Sequence, residues 1–434
     1  MNIRIIFLYS VLLSCVLGYS ALGQEEDYFT EDYIRHRDFI YKDYIKSPVL
    51  HREGWQMSPP VIKLGTEQKL ILSFDDLQGD VKRYYFTVIH CDAMWQPTDI
   101  PKSDYIQGFY EDEVSDHAFS FNTLKVYTNY RLSFPTDYLS IKLSGNYVLK
   151  IYKDEELDSN VVLTKRFLVS ESRVTIDGGV VPPVKVDERN YKQQIEFEIK
   201  TGSYYIQNPY RELKVLVLQN WRWDNAVTNV QPRMVVGNRL DYKFRDELVF
   251  DGGNEFRSFD IKSLKYQSEH IALIDYDHMK GSMVYLHPDE RRTYKEFVRE
   301  DDLNGKFYLE KEGAEYSDIE SDYTWVYFTL PYKFPLVNGK LYIFGGLTQW
   351  DFTEEGELEY DYEDHQYRGS LYLKQGYYNY AYVFLEDGYT SGDMTLIEGN
   401  HWDTTNEYEV LVYYREPGTY YDKLIGVQYF NAHE

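Results

Sequence analysis

The sequence predicts an all-β protein: tandem immunoglobulin/fibronectin-like β-sandwich domains behind a signal peptide. Three observations carry this. Short segments alternating apolar and polar residues recur along the whole chain, the period of a half-buried strand, while helical spacing is scarce. Those segments are built from Tyr, Val, Phe and Ile, with 45 Tyr and 23 Phe among 434 residues, and such side chains suit a pleated surface. Asn-Gly pairs at 304–305 and 338–339 sit between them and favour tight hairpin turns.

From the N-terminus, Arg4 precedes an apolar run from Ile5 to Leu17, and Ala21 and Gly23 form a small-residue cleavage pattern before Gln24. This reads as a secretory signal peptide over residues 1–23 and an exported mature chain. "LLSC" (Leu12 to Cys15) offers a second reading of the segment, acylation of Cys15 and a lipid tether. No later stretch approaches the roughly 20 apolar residues of a spanning helix. Residues 24–48 are acidic and aromatic and are expected to form an extended N-terminal arm.

The strands follow: "KLILSFD" (Lys69 to Asp75), "RYYFTVIHCD" (Arg83 to Asp92), "GNYVLKIYKD" (Gly145 to Asp154), "QQIEFEIK" (Gln193 to Lys200), "ELKVLVLQN" (Glu212 to Asn220), "TWVYFTL" (Thr324 to Leu330) and "EYEVLVYY" (Glu407 to Tyr414). The Gly- and Pro-rich stretch Gly178 to Asn190 reads as a linker, and Leu330 to Gly339 as a second linker or a turn inside one domain. The expected domains are a first β-sandwich over 49–172, a middle β-rich domain over 173–335 and a C-terminal immunoglobulin-like sandwich over 336–434. No repeat and no low-complexity tract appears.

The formal net charge of −25 argues against nucleic acid and anionic lipid, both of which require Lys and Arg. Of two cysteines, Cys15 leaves with the signal, so Cys91 has no partner for a disulfide and stability must come from apolar burial.

Local chemistry is sparse. The chain lacks H-E-x-x-H, G-x-S-x-G, P-loop and G-x-G-x-x-G patterns. In "HCDAMW", His90 and Cys91 are strand neighbours and point to opposite faces, so they cannot converge on one metal; Cys91 reads as a buried small hydrophobe. "REDDLNGKFYLEKE" resembles a calcium loop at Asp302, Asn304 and Gly305, but Lys311 occupies the position that needs a bidentate Glu. It reads as an acidic turn, and the runs at 275–278 and 359–365 as solvated acidic faces. No metal and no cofactor are expected.

Two aromatic groups are candidate partner contacts. Trp221 and Trp223 lie two apart, on one strand face, with Arg222 opposite; paired Trp can stack on a sugar or anchor a protein, and equally can fill a core. In "LKQGYYNYAYVF", Tyr378, Tyr380 and Tyr382 share one strand face, either a core or a platform. Together with "YIFGGLTQWD" (Tyr342 to Asp351), this segment resembles a starch- or glycogen-binding sandwich module at the level of fold.

Several segments act as a set: "VKRYYFTVIHCDAMWQPTDI" (Val81 to Ile100), "HAFSFNTLKVYTNYRLSFP" (His117 to Pro135), "LSGNYVLKIYKD" (Leu143 to Asp154), "VLQNWRWDNAV" (Val217 to Val227), "FDGGNEFRSFDIKSL" (Phe250 to Leu264), "LKQGYYNYAYVF" and "EGNHWDTTNEYEVLVYYR" (Glu398 to Arg415). In this order they resemble the type IX secretion system plug protein family of Bacteroidetes over nearly the whole mature chain. The resemblance implies a periplasmic, non-enzymatic β-rich protein at the inner face of the outer membrane. It implies a SprA-type translocon barrel as partner, whose periplasmic opening the protein closes while no substrate is passing. It transfers no catalytic residues. The competing expectations are a periplasmic or surface glycan-binding protein using the C-terminal sandwich, and a hydrolase with carboxylates hidden in loops.

Overall fold

The computed structural model describes residues 34–279 and 281–433. The expected signal peptide, Cys15 and the first part of the expected arm lie outside the described residues. The regular secondary structure of the described chain is almost entirely β-strand, arranged in several separate sheets. No helix in it is long and apolar enough to cross a membrane.

The first sandwich packs an antiparallel sheet, in the order Ile45–Arg52, Leu70–Asp76, Thr128–Phe134, Asp116–Phe119, on a second sheet. That second sheet runs Phe39–Ile40, Val161–Ser170, Gly145–Lys153, Tyr84–Cys91, Asp112–Glu113, with Val61–Lys63 parallel to Val161–Ser170. Between them lie Leu72, Phe74, Phe86, Tyr130, Tyr147 and Phe167. The end of the expected arm, from Ile45, is thus a sheet strand.

The second sandwich has one sheet of Thr175–Val181, Lys192–Lys200, Arg239–Asp241 and Met234–Val236, with Val249–Asp251 also on Lys192–Lys200. Its other sheet runs Arg222–Val227, Leu213–Gln219, Glu407–Tyr414, Lys423–Asn431. The last two strands come from the far end of the chain. Between Val249–Asp251 and Glu407–Tyr414 the chain leaves to build a third sandwich. One of its sheets is centred on Gly376–Glu386, which pairs with Arg257–Asp260, Phe307–Leu309 and Gly339–Phe344. The other runs Ile271–Asp277, Gly281–Leu286, Tyr323–Pro331, Gln366–Lys374, Glu359–Asp361.

The sheets therefore do not respect the expected division at 335/336. Tyr323–Pro331 pairs with Gln366–Lys374 across it, and Leu330 to Gly339 is a turn inside the third sandwich. Asn304 and Gly305 both have positive φ, and the Lys306 N–H closes the turn on the Leu303 carbonyl. The strands flanking Asn338-Gly339 lie in different sheets, so that turn joins layers and makes no hairpin.

Residues 35–434 form one compact unit, and the reason lies in two sheets buried on both faces. Gly145–Lys153 is buried at every position but its last. Alternate residues explain this: Tyr147, Leu149 and Ile151 face the first core, whereas Val148, with Cys91 and Leu168, faces the second sandwich. There it meets Leu216, Leu218, Leu411 and Tyr413, whose neighbours Val215, Val217, Val410 and Val412 fill the second core. Four sheets thus stack through three apolar layers. Each large side chain buried in such a layer contributes roughly 1.5–3 kcal/mol of transfer free energy. His90 and Cys91 do point to opposite faces: the His90 ring meets Tyr105 and Tyr147, and Cys91 lies in the layer between sandwiches.

Candidate functional site

Asn220 and Trp221 form the two-residue turn between Leu213–Gln219 and Arg222–Val227, both with positive φ. Such a turn matches strand twist, yet positive φ is uncommon for a residue as large as Trp. Its neighbours hold it: Asn220 N–H donates to the Glu407 carbonyl (2.8 Å), Asn220 Nδ2 to Asn406 Oδ1 (2.7 Å) and Trp221 N–H to Glu409 Oε2 (3.2 Å). The Trp221 and Trp223 rings meet edge-on at 6.0 Å. Trp223 then meets Trp95 of the first sandwich at 5.0 Å, and the Arg166 guanidinium lies 4.3 Å from the Trp95 ring centre. Arg222, on the other side, is held by Asp224 (2.7 Å) and lies 5.1 Å from the Phe344 ring of the third sandwich. The tryptophans are half-buried seam residues, committed to the first sandwich. The remaining edge of Trp221 borders a hollow of ≈ 110 Å³ where the three sandwiches meet, beside Lys165, Phe307 and Trp350.

The tyrosine row lies inside. Tyr378, Tyr380 and Tyr382 are 2%, 1% and 0% exposed. They fill the core of the third sandwich and offer no face to a partner or a glycan, which corrects the platform reading. Tyr378 is stacked between Phe259 and Phe307, each 5.2 Å away. Tyr380 and Tyr382 hydroxyls donate to Asp289 at 2.7 and 2.8 Å. Arg257 bridges Asp289 (2.7 Å) and Glu398 (3.0 Å), and Glu398 also takes Arg292 (2.8 Å) and the Tyr382 N–H (2.8 Å). Burial alone would raise the Glu398 carboxyl, but Arg257 and Arg292 hold it below its usual range. Burial and Asp289 push both tyrosine hydroxyls far above theirs. Sequence alternation shows the shared face; the groups that complete the network come from elsewhere in the chain, Arg257 from a paired strand, Asp289 and Arg292 from a loop and Glu398 from the short helix Thr395–Glu398.

A second polar centre gave no sequence signal. Lys374 of the third sandwich and Asp75 of the first form an ion pair at 2.6 Å, both 1% exposed at the side chain. Asp75 also accepts from Tyr323 (2.6 Å) and Asn129 (2.7 Å), and the Lys374 ammonium donates to the Asp318 carbonyl and lies 4.4 Å from the Tyr127 ring centre. Beside it, the Asp322 carboxylate accepts the Leu124 and Lys125 N–H groups.

Among the described residues no group of His, Cys, Asp and Glu is placed to hold a metal. In the calcium-like turn, Asp302 instead caps backbone N–H groups of Asn304 and Phe256.

Residues 45–171, most of the first sandwich, match the family model for the type 9 secretion system plug protein first domain. The crystal structure of a hypothetical protein from Parabacteroides merdae ATCC 43184 is 34% identical, superposes with a TM-score of 0.89 and aligns over 92% of this chain and 100% of its own. The chain belongs to the type 9 secretion system plug protein family. That membership gives it a role in type 9 secretion. Because the Parabacteroides structure spans all three sandwiches, the fold described above is shared by a relative well beyond the matched first domain. Dimeric latent PorU from Porphyromonas gingivalis aligns at 10% identity over 90% of this chain and 34% of its own, with a TM-score of 0.16, too low to carry an argument. No curated protein matches the chain.

Proposed function

We propose that this protein is the periplasmic plug of the type 9 translocon, reversibly closing the periplasmic opening of the giant SprA-type outer-membrane barrel when no substrate is in transit. The observation that carries the reading is family membership, supported by the match over 45–171 and the relative aligned end to end. The body suits such closure. The double-sided sheets and the return of the chain into the second sandwich tie all three sandwiches into one unit, so a force at one end is resisted by the whole. Its role is occlusion, without catalysis or cofactor. Reversible closure calls for a moderate, polar-rimmed interface. The first sandwich supports an immunoglobulin-like reading: four strands in one sheet face a sheet whose main strands order as Asp112–Glu113, Tyr84–Cys91, Gly145–Lys153, Val161–Ser170.

Deleting the protein from its host tests the reading. Uptake of antibiotics too large for ordinary porins should rise, and removing the barrel as well should abolish that rise. Unchanged uptake, or leakage that persists without the barrel, would overturn it. Trp221→Ala with Trp223→Ala tests the tryptophans as partner contacts: the seam packing lost should lower stability, and retention on the barrel of the fraction that remains folded should fall as well. Unchanged retention removes that role.

A further inference from the structure

We propose that the groove between the first and second sandwiches binds an extended acidic peptide segment, which adds as a strand to the free edge of Lys423–Asn431.

That strand is the outer strand of its sheet. Its hydrogen-bonding directions follow from its neighbour. Glu407 turns its carbonyl towards Asn220, on the side away from Lys423–Asn431, so Tyr408, Val410 and Val412 turn theirs towards that strand. Their partners Phe430, Gln428 and Gly426 are thereby used, and Ala432 N–H, donating to the Asn406 carbonyl, keeps the same phase. Val427, Tyr429 and Asn431 direct their N–H and C=O groups outward, where the Tyr429 carbonyl accepts from the Gln428 side chain (3.0 Å), a surface amide that an added strand would displace. Glu171 and Arg173 cover the start of this edge by donating to the Leu424 and Ile425 carbonyls. Beyond them, Val427, Tyr429 and Asn431 line a groove of ≈ 440 Å³ whose opposite wall carries Arg52, Trp55 and Lys63.

The groove carries two cations that no described carboxylate neutralises. In a chain of net charge −25, Arg52 and Lys63 have no carboxylate partner among the described residues, while Lys306 at the base neutralises Glu407. Trp55 and Tyr429 flank the opening, 51% and 40% exposed, and offer aromatic faces. Two other open strand edges with exposed apolar residues are acidic: Asp116 lies on the edge ending at Phe119, and Asp275 and Asp277 on the edge carrying Leu273 and Tyr276. A third, Met234–Val236, has no acidic residue of its own but spans only three residues. Main-chain pairing gives affinity in such strand addition, and alternate side chains give selectivity. Three outward-facing residues over five positions accommodate a segment of about 16 Å, with carboxylates at alternate positions reaching Arg52 and Lys63. The inference does not depend on the plug reading.

The test uses the folded chain and three blocked six-residue peptides: alternating Val-Glu, alternating Val-Lys, and Val-Glu with alternate backbone nitrogens methylated. Calorimetry should show the acidic peptide binding, the basic and methylated ones failing, and Arg52→Glu with Lys63→Glu weakening the acidic peptide by about tenfold or more. Hydrogen exchange should slow at Val427, Tyr429 and Asn431 when the acidic peptide is present. No binding at millimolar peptide, equal binding of acidic and basic peptides, or slowing at a different strand edge would overturn the proposal.

Discussion

The first sandwich meets its two neighbours through seams of opposite character. Towards the second sandwich the contact is mainly apolar: Cys91, Val148 and Leu168 pack on Leu216, Leu218 and Leu411, with a buried hydrogen bond from the Tyr413 hydroxyl to Asn146 (2.7 Å). Towards the third sandwich the contact turns on the buried pair of Asp75 and Lys374 and on the Asp322 carboxylate gripping the backbone at Leu124 and Lys125. An apolar seam tolerates small changes in position, because its attraction is non-directional. A buried ion pair gives less net stability, yet fails badly when one partner is lost. The first and second sandwiches are therefore welded, while the third is keyed in one orientation.

The sharpest way to break this contrast is Lys374→Met. It leaves the Asp75 carboxylate buried without its cation and should cost about 3–5 kcal/mol in denaturant unfolding. Adding Asp75→Asn should restore part of that loss; a single variant as stable as the parent would contradict the keyed seam. In the welded seam, Leu411→Ala should cost about 3 kcal/mol, the range for a large-to-small change in a close-packed core, and no second substitution of a charged group should rescue it.

Glu409 sharpens the contrast, because it is a carboxyl concealed in the welded seam. It is fully buried, and Oε1 has no hydrogen-bond partner. Burial, then the nearby Glu407, push its carboxyl up from 4.5 to about 8, with Lys306 acting against them. The folded state thus binds more protons than the unfolded state between about pH 4.5 and 8. The stability this group contributes is complete below that window and is lost as pH rises through it. Glu409→Gln should remove that loss, so the variant gains on the parent from pH 5 to pH 9 in parallel unfolding titrations. A difference that stays flat with pH contradicts it. The smallest effect is expected for Tyr382→Phe: about 1 kcal/mol for one hydrogen bond to Asp289, which keeps Arg257 and Tyr380 as partners.

Local pattern made the strands legible. Each segment from Lys69 to Tyr414 singled out by alternation is a strand within one or two residues, because a two-residue period is written in consecutive side chains. What pattern leaves open is the partner of each strand. Glu407–Tyr414 alternates equally well whether it finishes the third sandwich or returns to the second, and only the fold brings it beside Leu213–Gln219. The same limit applies to the sites. Spacing put Tyr378, Tyr380 and Tyr382 on one face, but covering by Phe259 and Phe307 comes from strands roughly 70 to 120 residues away, a separation local periodicity does not report. Trp221 and Trp223 were legible as a pair; Trp95, which covers Trp223, carried no such signal. Arg52 and Lys63 look like ordinary surface cations until Tyr429 is placed opposite them.

The central claim is that this protein meets the type 9 translocon. Affinity purification of the tagged protein from gently solubilised outer membranes of its host, followed by mass spectrometry, tests it most directly. The account predicts a very large SprA-type β-barrel recovered in comparable amount, displaced when substrate is in transit. Recovery of the protein alone, or with glycans and no barrel, would contradict it.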